Sequence, residues 1–91
     1  MIARLKGILE EIGLDTIIVD VNGVGYLVSC SQKTLSALGA KGSQVNLWIE
    51  TLMRAESLQL FGFHDKAEQT CFLKLLTVQG VGARMALSLL S

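Results

Sequence analysis

The stretch TIIVDVNGVGYLVSC, residues 16–30, decides the fold of the first two thirds of the chain. Ile17 and Val19 alternate with residues of the opposite face, as in a strand that buries one side. Asn22-Gly23 is the strongest short hairpin signal in the sequence, because both residue types tolerate the positive φ angles of a two-residue turn. The stretch therefore predicts two antiparallel strands joined at this turn.

Similar short apolar segments lie on both sides of this hairpin. Ser31 is a suitable N-cap for a short helix, and Gly39 and Gly42 end that helix. The predicted elements are strands over 2–11, 16–21 and 24–30, a helix over 32–38, and strands over 45–52 and 58–63. Five strands with one helix between the third and fourth form the element order of an OB-fold, a small closed barrel often used on nucleic acids. The sequence thus predicts a mainly β fold with helices at its C-terminal end.

The apolar period becomes helical after Phe63. Asp65 followed by Glu68 is a capping-box pattern, which predicts a helix from about Lys66 to Leu76. A second helix is predicted over 83–90. The apolar faces expected for these two helices consist of Cys71, Phe72, Leu75 and Leu76, and of Met85, Ala86, Leu89 and Leu90.

The segment between these helices, Val78-Gln79-Gly80-Val81-Gly82, predicts a helix-hairpin-helix motif. Glycine permits the positive φ of a tight turn, and Val81 is expected to pack between the helices. Without side chains at Gly80 and Gly82, backbone amides at the start of the second helix can approach a phosphate, and Arg84 can reach the same phosphate or the next. Such contacts bind duplex without selecting a sequence. The alternative is a Gly-x-Gly turn that only joins two packed helices.

Composition limits the functions that this chain can have. Its 91 residues, 51% apolar with zero net charge, suffice for one small domain and the opening of a second, which excludes a multi-domain enzyme. No uncharged run is long enough to span a bilayer, and early charged residues interrupt any secretory signal, so a cytosolic protein is expected. The apolar surplus favours self-association.

The chemistry-bearing residue types are few. Cys30 and Cys71 fit neither a disulfide framework nor a zinc site, and both are expected to be buried. His64 is the only histidine, and the sequence has no nucleophile elbow or metal cluster. His64 is therefore expected at the surface or in a capping role. No enzyme activity, metal or cofactor is predicted.

Four separated motifs together resemble the RuvA family, the Holliday junction-binding subunits of the bacterial branch migration complex. The motifs are Met1-Ile2-Ala3-Arg4-Leu5-Lys6-Gly7, Val21-Asn22-Gly23-Val24-Gly25-Tyr26, Arg54 leading to Leu60-Phe61-Gly62-Phe63, and Gly80-Val81-Gly82-Ala83-Arg84-Met85-Ala86-Leu87. The resemblance implies an OB-fold domain over 1–63 and the start of a helix-hairpin-helix domain over 64–91. It also implies a second hairpin motif and a C-terminal domain that are absent here, so we expect the chain to be a fragment.

The resemblance implies a non-catalytic role in DNA recombination and repair. Family members form tetramers that hold a four-way junction open and square, engage the hexameric RuvB ATPase through their C-terminal domain, and work with the RuvC resolvase in the bacterial cytoplasm. The family also has an acidic hairpin tip, the pin, which corresponds here to Arg54-Ala55-Glu56-Ser57. Ala55 replaces one of two usual acids and leaves Glu56 as the pin carboxylate.

Further residues have two interpretations each. Arg54, Lys6 and Arg4 either line the DNA face or are ordinary solvated charges. Trp48 either stacks on a base or, as is commoner for a lone aromatic, belongs to a core or interface. Two other functions stay open: a generic OB module for single strands, and a structural domain that drives tetramerisation without binding junctions.

Overall fold

The computed structural model describes all residues from 1 to 91. Its elements are β1 (Arg4–Ile12), β2 (Thr16–Val21), β3 (Val24–Cys30), α1 (Gln32–Ala37), β4 (Gln44–Arg54), β5 (Ser57–Phe63), α2 (Lys66–Leu76) and α3 (Ala83–Leu90). The bounds of α2 and α3 coincide with the predicted ones. None of the helices has the combination of length and apolar character needed to cross a membrane.

The five strands form a closed barrel in the order β1-β2-β3-β5-β4, with β4 pairing back onto β1. All neighbours are antiparallel except β3 and β5, which close the barrel through a short parallel pairing of Ser29 with Phe61 and Cys30 with Gly62. The predicted OB-like barrel is therefore confirmed. We refer to the β3–β5 pairing as the barrel seam.

Two tight hairpins shape the ends of the barrel. Asn22 and Gly23 have φ angles of 53° and 90°, which confirms the predicted two-residue turn between β2 and β3. The hairpin between β4 and β5 ends similarly, since Arg54 pairs with Ser57 and leaves Ala55 and Glu56 at its tip. This second tip carries the predicted pin position.

The interior of the barrel is a single apolar cluster. Its buried members are Leu5, Leu9, Ile17, Val19, Val28, Cys30, Val45, Leu47, Ile49 and Leu60. Alternation along the strands places these side chains inward, as the period-2 pattern predicts. Burial raises the pKa of the Cys30 thiol to about 12, because the charged thiolate loses its hydration inside the barrel.

A second apolar cluster attaches the helices to the outside of the barrel. Phe72 of α2 is fully buried, and its ring centre lies 5.3 Å from that of Phe61 and 4.9 Å from that of Phe63 on β5. Ala83, Ala86 and Leu87 of α3 complete the buried part of this phenylalanine cluster. Tilted aromatic pairs at these separations stabilise beyond simple area burial, so α2 is held firmly against β5.

The predicted capping box forms only in part. The Asp65 carboxylate accepts a hydrogen bond from the Glu68 amide at 2.7 Å, as expected of an N-cap. The Glu68 carboxylate does not return to the Asp65 amide. It points inward and accepts hydrogen bonds from the hydroxyls of Ser31, at 2.5 Å, and Thr34. A buried carboxylate needs strong donors, and the first turn of α1 supplies two.

The predicted apolar faces of both long helices need correction. Cys71 is exposed rather than buried, because it sits about 100° around the helix from Phe72, which points into the phenylalanine cluster. Met85 and Leu89 of α3 are also exposed, while Leu87 is buried. Contacts with β4 and β5 select the buried side of α2, and contacts with α1 and α2 select that of α3; the helical period alone does not reveal them.

Candidate nucleic-acid interface

The turn between α2 and α3 is tight and leads directly into the start of α3. Gly80 has a φ of 88°, and the Val81 amide donates to the Val78 carbonyl at 3.1 Å. Val81 is half-buried against the phenylalanine cluster, which confirms that it packs between the helices. Gly82 is the N-cap of α3 and provides no side-chain hydrogen bond to the helix. The first amides of α3 therefore lack a side-chain acceptor.

The space outside this turn is open. A Cβ atom placed on Gly80 or Gly82 meets no atom within 4 Å, so an external group can approach the backbone closely. The two glycines differ in conformation. Gly80 needs its positive φ, whereas Gly82 has φ −90° and ψ 179°, which any residue adopts. Of the two glycines, only Gly80 provides the positive φ that the tight turn needs.

Arg84 extends from the first turn of α3 toward the barrel. Its Nη1 atom lies 3.5 Å from Asp15 Oδ2, and its side chain is 90% exposed. An exposed pair at this distance contributes little stability, so the guanidinium is free to exchange Asp15 for another anion. Asp15, in the turn between β1 and β2, is a neighbour that the sequence pattern does not identify.

Arg54 and Arg84 line the same groove, which has a volume of about 590 Å³ and runs beside the barrel seam and α3. Gln59 and Ser88 contribute to its polar lining. Glu56 lies at the hairpin tip that follows Arg54. The structure thus places Arg84 of the predicted hairpin motif and Arg54 of the predicted pin segment along one groove.

Arg4 and Lys6 lie elsewhere, on the outer face of β1. They pair with Trp48 and Asn46 of β4, and Arg4 Nε donates to Asn46 Oδ1 at 3.1 Å. Trp48 is six residues before Arg54 on β4, a separation of about 20 Å along an extended strand. The candidate basic residues therefore form two groups rather than one face.

Trp48 is half-buried and packs against the phenylalanine cluster. The guanidinium carbon of Arg4 is 5.4 Å from its ring centre, and Nζ of Lys66 is 4.1 Å from it. The ring is therefore already in contact with two cations, which limits its access to a nucleic-acid base.

His64 belongs to a polar junction between the barrel and α2. Its Nε2 atom lies 3.1 Å from Asp65 Oδ2, and its Nδ1 atom lies 3.2 Å from Thr34 Oγ1. Together with Glu68 and Ser31, these residues join the start of α1 to the start of α2. Sequence reasoning missed this network, since the spacing of Asp65 and Glu68 indicates a helix cap and gives no sign of the partners on α1.

Comparison with known proteins identifies the family of the chain. The family model for the RuvA N terminal domain matches residues 1–62. Relatives from Rhodospirillum centenum, Sinorhizobium fredii and Agrobacterium fabrum are 56%, 50% and 50% identical to the chain over 91 residues. Each is named Holliday junction branch migration complex subunit RuvA, and the chain spans 44% of its length. The chain belongs to the RuvA N-terminal domain family.

Proposed function

We propose that this chain supplies the barrel and first hairpin motif of a non-catalytic subunit that binds Holliday junctions. In this proposal, residues 1–63 form the barrel domain and residues 64–91 begin the DNA-binding helical domain. The subunit acts as a homotetramer in the bacterial cytoplasm, holds the junction open and square, and directs a RuvB-type ATPase to it, with a RuvC-type resolvase as a further partner. Family membership and the names of the relatives support this role in recombination and repair.

The observation that carries the proposal is the uncapped, open start of α3. A phosphate oxygen placed outside Gly80 and Gly82 accepts hydrogen bonds from the amides of the first helical turn, where the helix dipole also favours an anion. Arg84 then leaves the exposed Asp15 carboxylate and pairs with the same or the neighbouring phosphate. Since all these contacts reach the backbone of DNA, the binding is independent of base sequence.

The tip of the β4–β5 hairpin repels phosphates, whereas the start of α3 attracts them. In a four-fold assembly, the four copies of Glu56 converge near the axis and repel the phosphates of strands that separate there. With Ala55 in place of a second acid, the centre carries about half the negative charge of a two-acid pin. Arg54, at the base of the tip, lines the groove that also holds Arg84 and pairs with a phosphate entering it.

Replacement of Gly82 by Asp tests the phosphate contact without disturbing the turn. The backbone at Gly82 already has the extended conformation of an N-cap, and the added side chain meets open space. Asp at this position caps α3 and is expected to stabilise the fold by about 0.5 kcal/mol. Its charge occupies the phosphate position, so affinity for junction and linear duplex should fall at least tenfold. Gly82→Asn is the matched control, because it caps without the charge.

The measurements are thermal unfolding and a competition between four-way junction and linear duplex of the same sequence at moderate salt. We expect the four-way junction to compete better than linear duplex for binding to the unmodified protein. We also expect Gly82→Asp to gain stability while it loses DNA affinity. Equal affinity for the two DNAs would refute junction recognition, and a Gly82→Asp variant with unchanged duplex affinity would refute the phosphate contact.

A second candidate function is assembly without junction binding by this part of the subunit. It is favoured by large apolar side chains on the barrel surface, since Leu14, Leu27 and Met53 are 92%, 62% and 68% exposed. Light scattering separates the two functions when combined with the DNA competition. A tetramer that does not distinguish junction from duplex supports the assembly role alone.

A further inference from the structure

The outer face of the barrel presents a tryptophan ring in contact with two cations. Arg4 from β1 and Lys66 from α2 approach the Trp48 ring centre at 5.4 and 4.1 Å. Lys6 lies two residues after Arg4 on the same strand and is exposed on the same outer face. These four residues, Arg4, Lys6, Trp48 and Lys66, are called the tryptophan patch below.

The cations of the tryptophan patch form no ion pair with a carboxylate. The ion pairs of the structure involve His64 and Arg84, and none involves the three cations of the patch. Asp65 and Glu50, which lie close in sequence to Lys66 and Trp48, make their side-chain contacts with other residues. Asp65 caps α2 and lies beside His64, while Glu50 accepts a hydrogen bond from the Gln69 amide at 2.9 Å.

An aromatic ring that holds two cations gives them a defined position. Contact with the ring attracts each cation, so less side-chain freedom remains to be lost when an anion binds. The cations also repel each other, and an anion between them relieves this repulsion. Arg4 and Lys6 are about 7 Å apart along β1, a distance over which one DNA strand presents about two negative charges.

We propose that the tryptophan patch is a second surface for the phosphate backbone of duplex DNA, separate from the turn at Gly82. This proposal depends on the proposed function only because it assumes that the bound polyanion is DNA. Trp48 lies near the middle of β4 and Arg54 lies at its end, about 20 Å apart along the strand, so the patch and Arg54 can contact different phosphates of one duplex arm. Two such surfaces would guide an arm across the barrel.

A pair of charge-matched double variants tests the patch. Arg4→Gln with Lys66→Gln removes the two cations on the ring, and Lys33→Gln with Lys41→Gln removes two exposed lysines from α1 and its following turn. Affinity for a linear duplex of mixed sequence is measured across a range of salt concentrations. Each lost phosphate contact lowers the magnitude of the slope of log affinity against log salt concentration by about 0.9. The slope of the patch variant should therefore fall by nearly 2, and that of the control should stay almost unchanged.

Lys6→Gln is a further variant that avoids any effect on folding, because the Lys6 ammonium makes no hydrogen bond, ion pair or ring contact in the structure. It should lower the slope by about 1. A slope that is unchanged in both patch variants, or lowered equally in the Lys33 and Lys41 control, would overturn the proposal.

Trp48 is the only tryptophan, so its fluorescence reports on the patch directly. Duplex added to the protein should change its emission, and Gly82→Asp should retain that change at higher DNA concentration. Failure of junction recognition leaves this signal in place, which separates the two proposals. A constant emission at saturating duplex would overturn the patch proposal. So would patch variants that reduce the molar mass in light scattering while DNA affinity stays constant, since the surface would then be a contact between copies.

Discussion

Replacement of Glu68 by Ala tests how the helical motif is held on the barrel. The Glu68 side chain is almost fully buried, and its two carboxylate oxygens accept hydrogen bonds from Ser31 and Thr34. Removing the carboxylate leaves the Ser31 hydroxyl without its acceptor and leaves Thr34 Oγ1 with His64 Nδ1 as its remaining side-chain partner. A buried polar group that loses its hydrogen bond costs about 1–3 kcal/mol, so Glu68→Ala should destabilise the protein by about 2–4 kcal/mol.

Glu68→Gln should cost less, about 1–2 kcal/mol, because the amide keeps the volume and one acceptor oxygen. Thr34→Val removes one donor and keeps the shape. Because Glu68 and Thr34 share a hydrogen bond, the double variant Glu68→Ala with Thr34→Val should show a coupling free energy of about 1–3 kcal/mol. Glu10→Ala, at an exposed position of β1, is the control and should change stability by about 0.5 kcal/mol or less.

The assay is equilibrium unfolding in urea, followed by Trp48 fluorescence, since this residue packs beside the same cluster that anchors α2. A change of the midpoint with an unchanged m-value reports stability alone. A Glu68→Ala variant that loses no more stability than Glu10→Ala would contradict this role of Glu68. So would stability losses at Glu68 and Thr34 that simply add.

Three further outcomes follow from packing. Phe72→Ala empties a fully buried site and should cost about 3–5 kcal/mol in urea unfolding. Gly62→Ala should destabilise strongly in the same assay, since its Cβ would lie 2.6 Å from Val28 Cγ1 inside the barrel; unchanged stability would contradict the described packing. At pH 8, a thiol reagent should modify Cys71 rapidly and Cys30 only on unfolding, because Cys71 is exposed and burial raises the Cys30 pKa to about 12; two fast thiols would disprove this.

The elements with a local cause were predictable from the sequence. The β2–β3 turn depends on Asn22-Gly23 alone, and the start of α2 depends on Asp65, which caps it. Strand alternation likewise identified Ile17 and Val19 as residues of the barrel interior. Each of these features is determined by residues within a few positions of one another, so the local sequence is sufficient to predict it.

Features that depend on distant contacts were not predictable. Glu68 and its partners on α1 are more than 30 residues apart, and nothing in the spacing of either segment points to the other. The exposure of Cys71 depends on which side of α2 meets β5. The separation of Arg4 and Lys6 from Arg54 depends on the length of β4, so only the folded barrel shows that these cations form two groups.

The barrel seam has a consequence for the order of folding. Ser31 follows the seam residue Cys30 directly, so the hydroxyls that receive Glu68 reach their places only after β3 has paired with β5. This pairing encloses about 30 residues of chain, which makes it a slow, entropically costly step. We therefore expect the helices to dock after the barrel closes. Brief opening of the seam in the native state would release the hairpin motif, and hydrogen exchange at the amides of α2 would follow that of the seam.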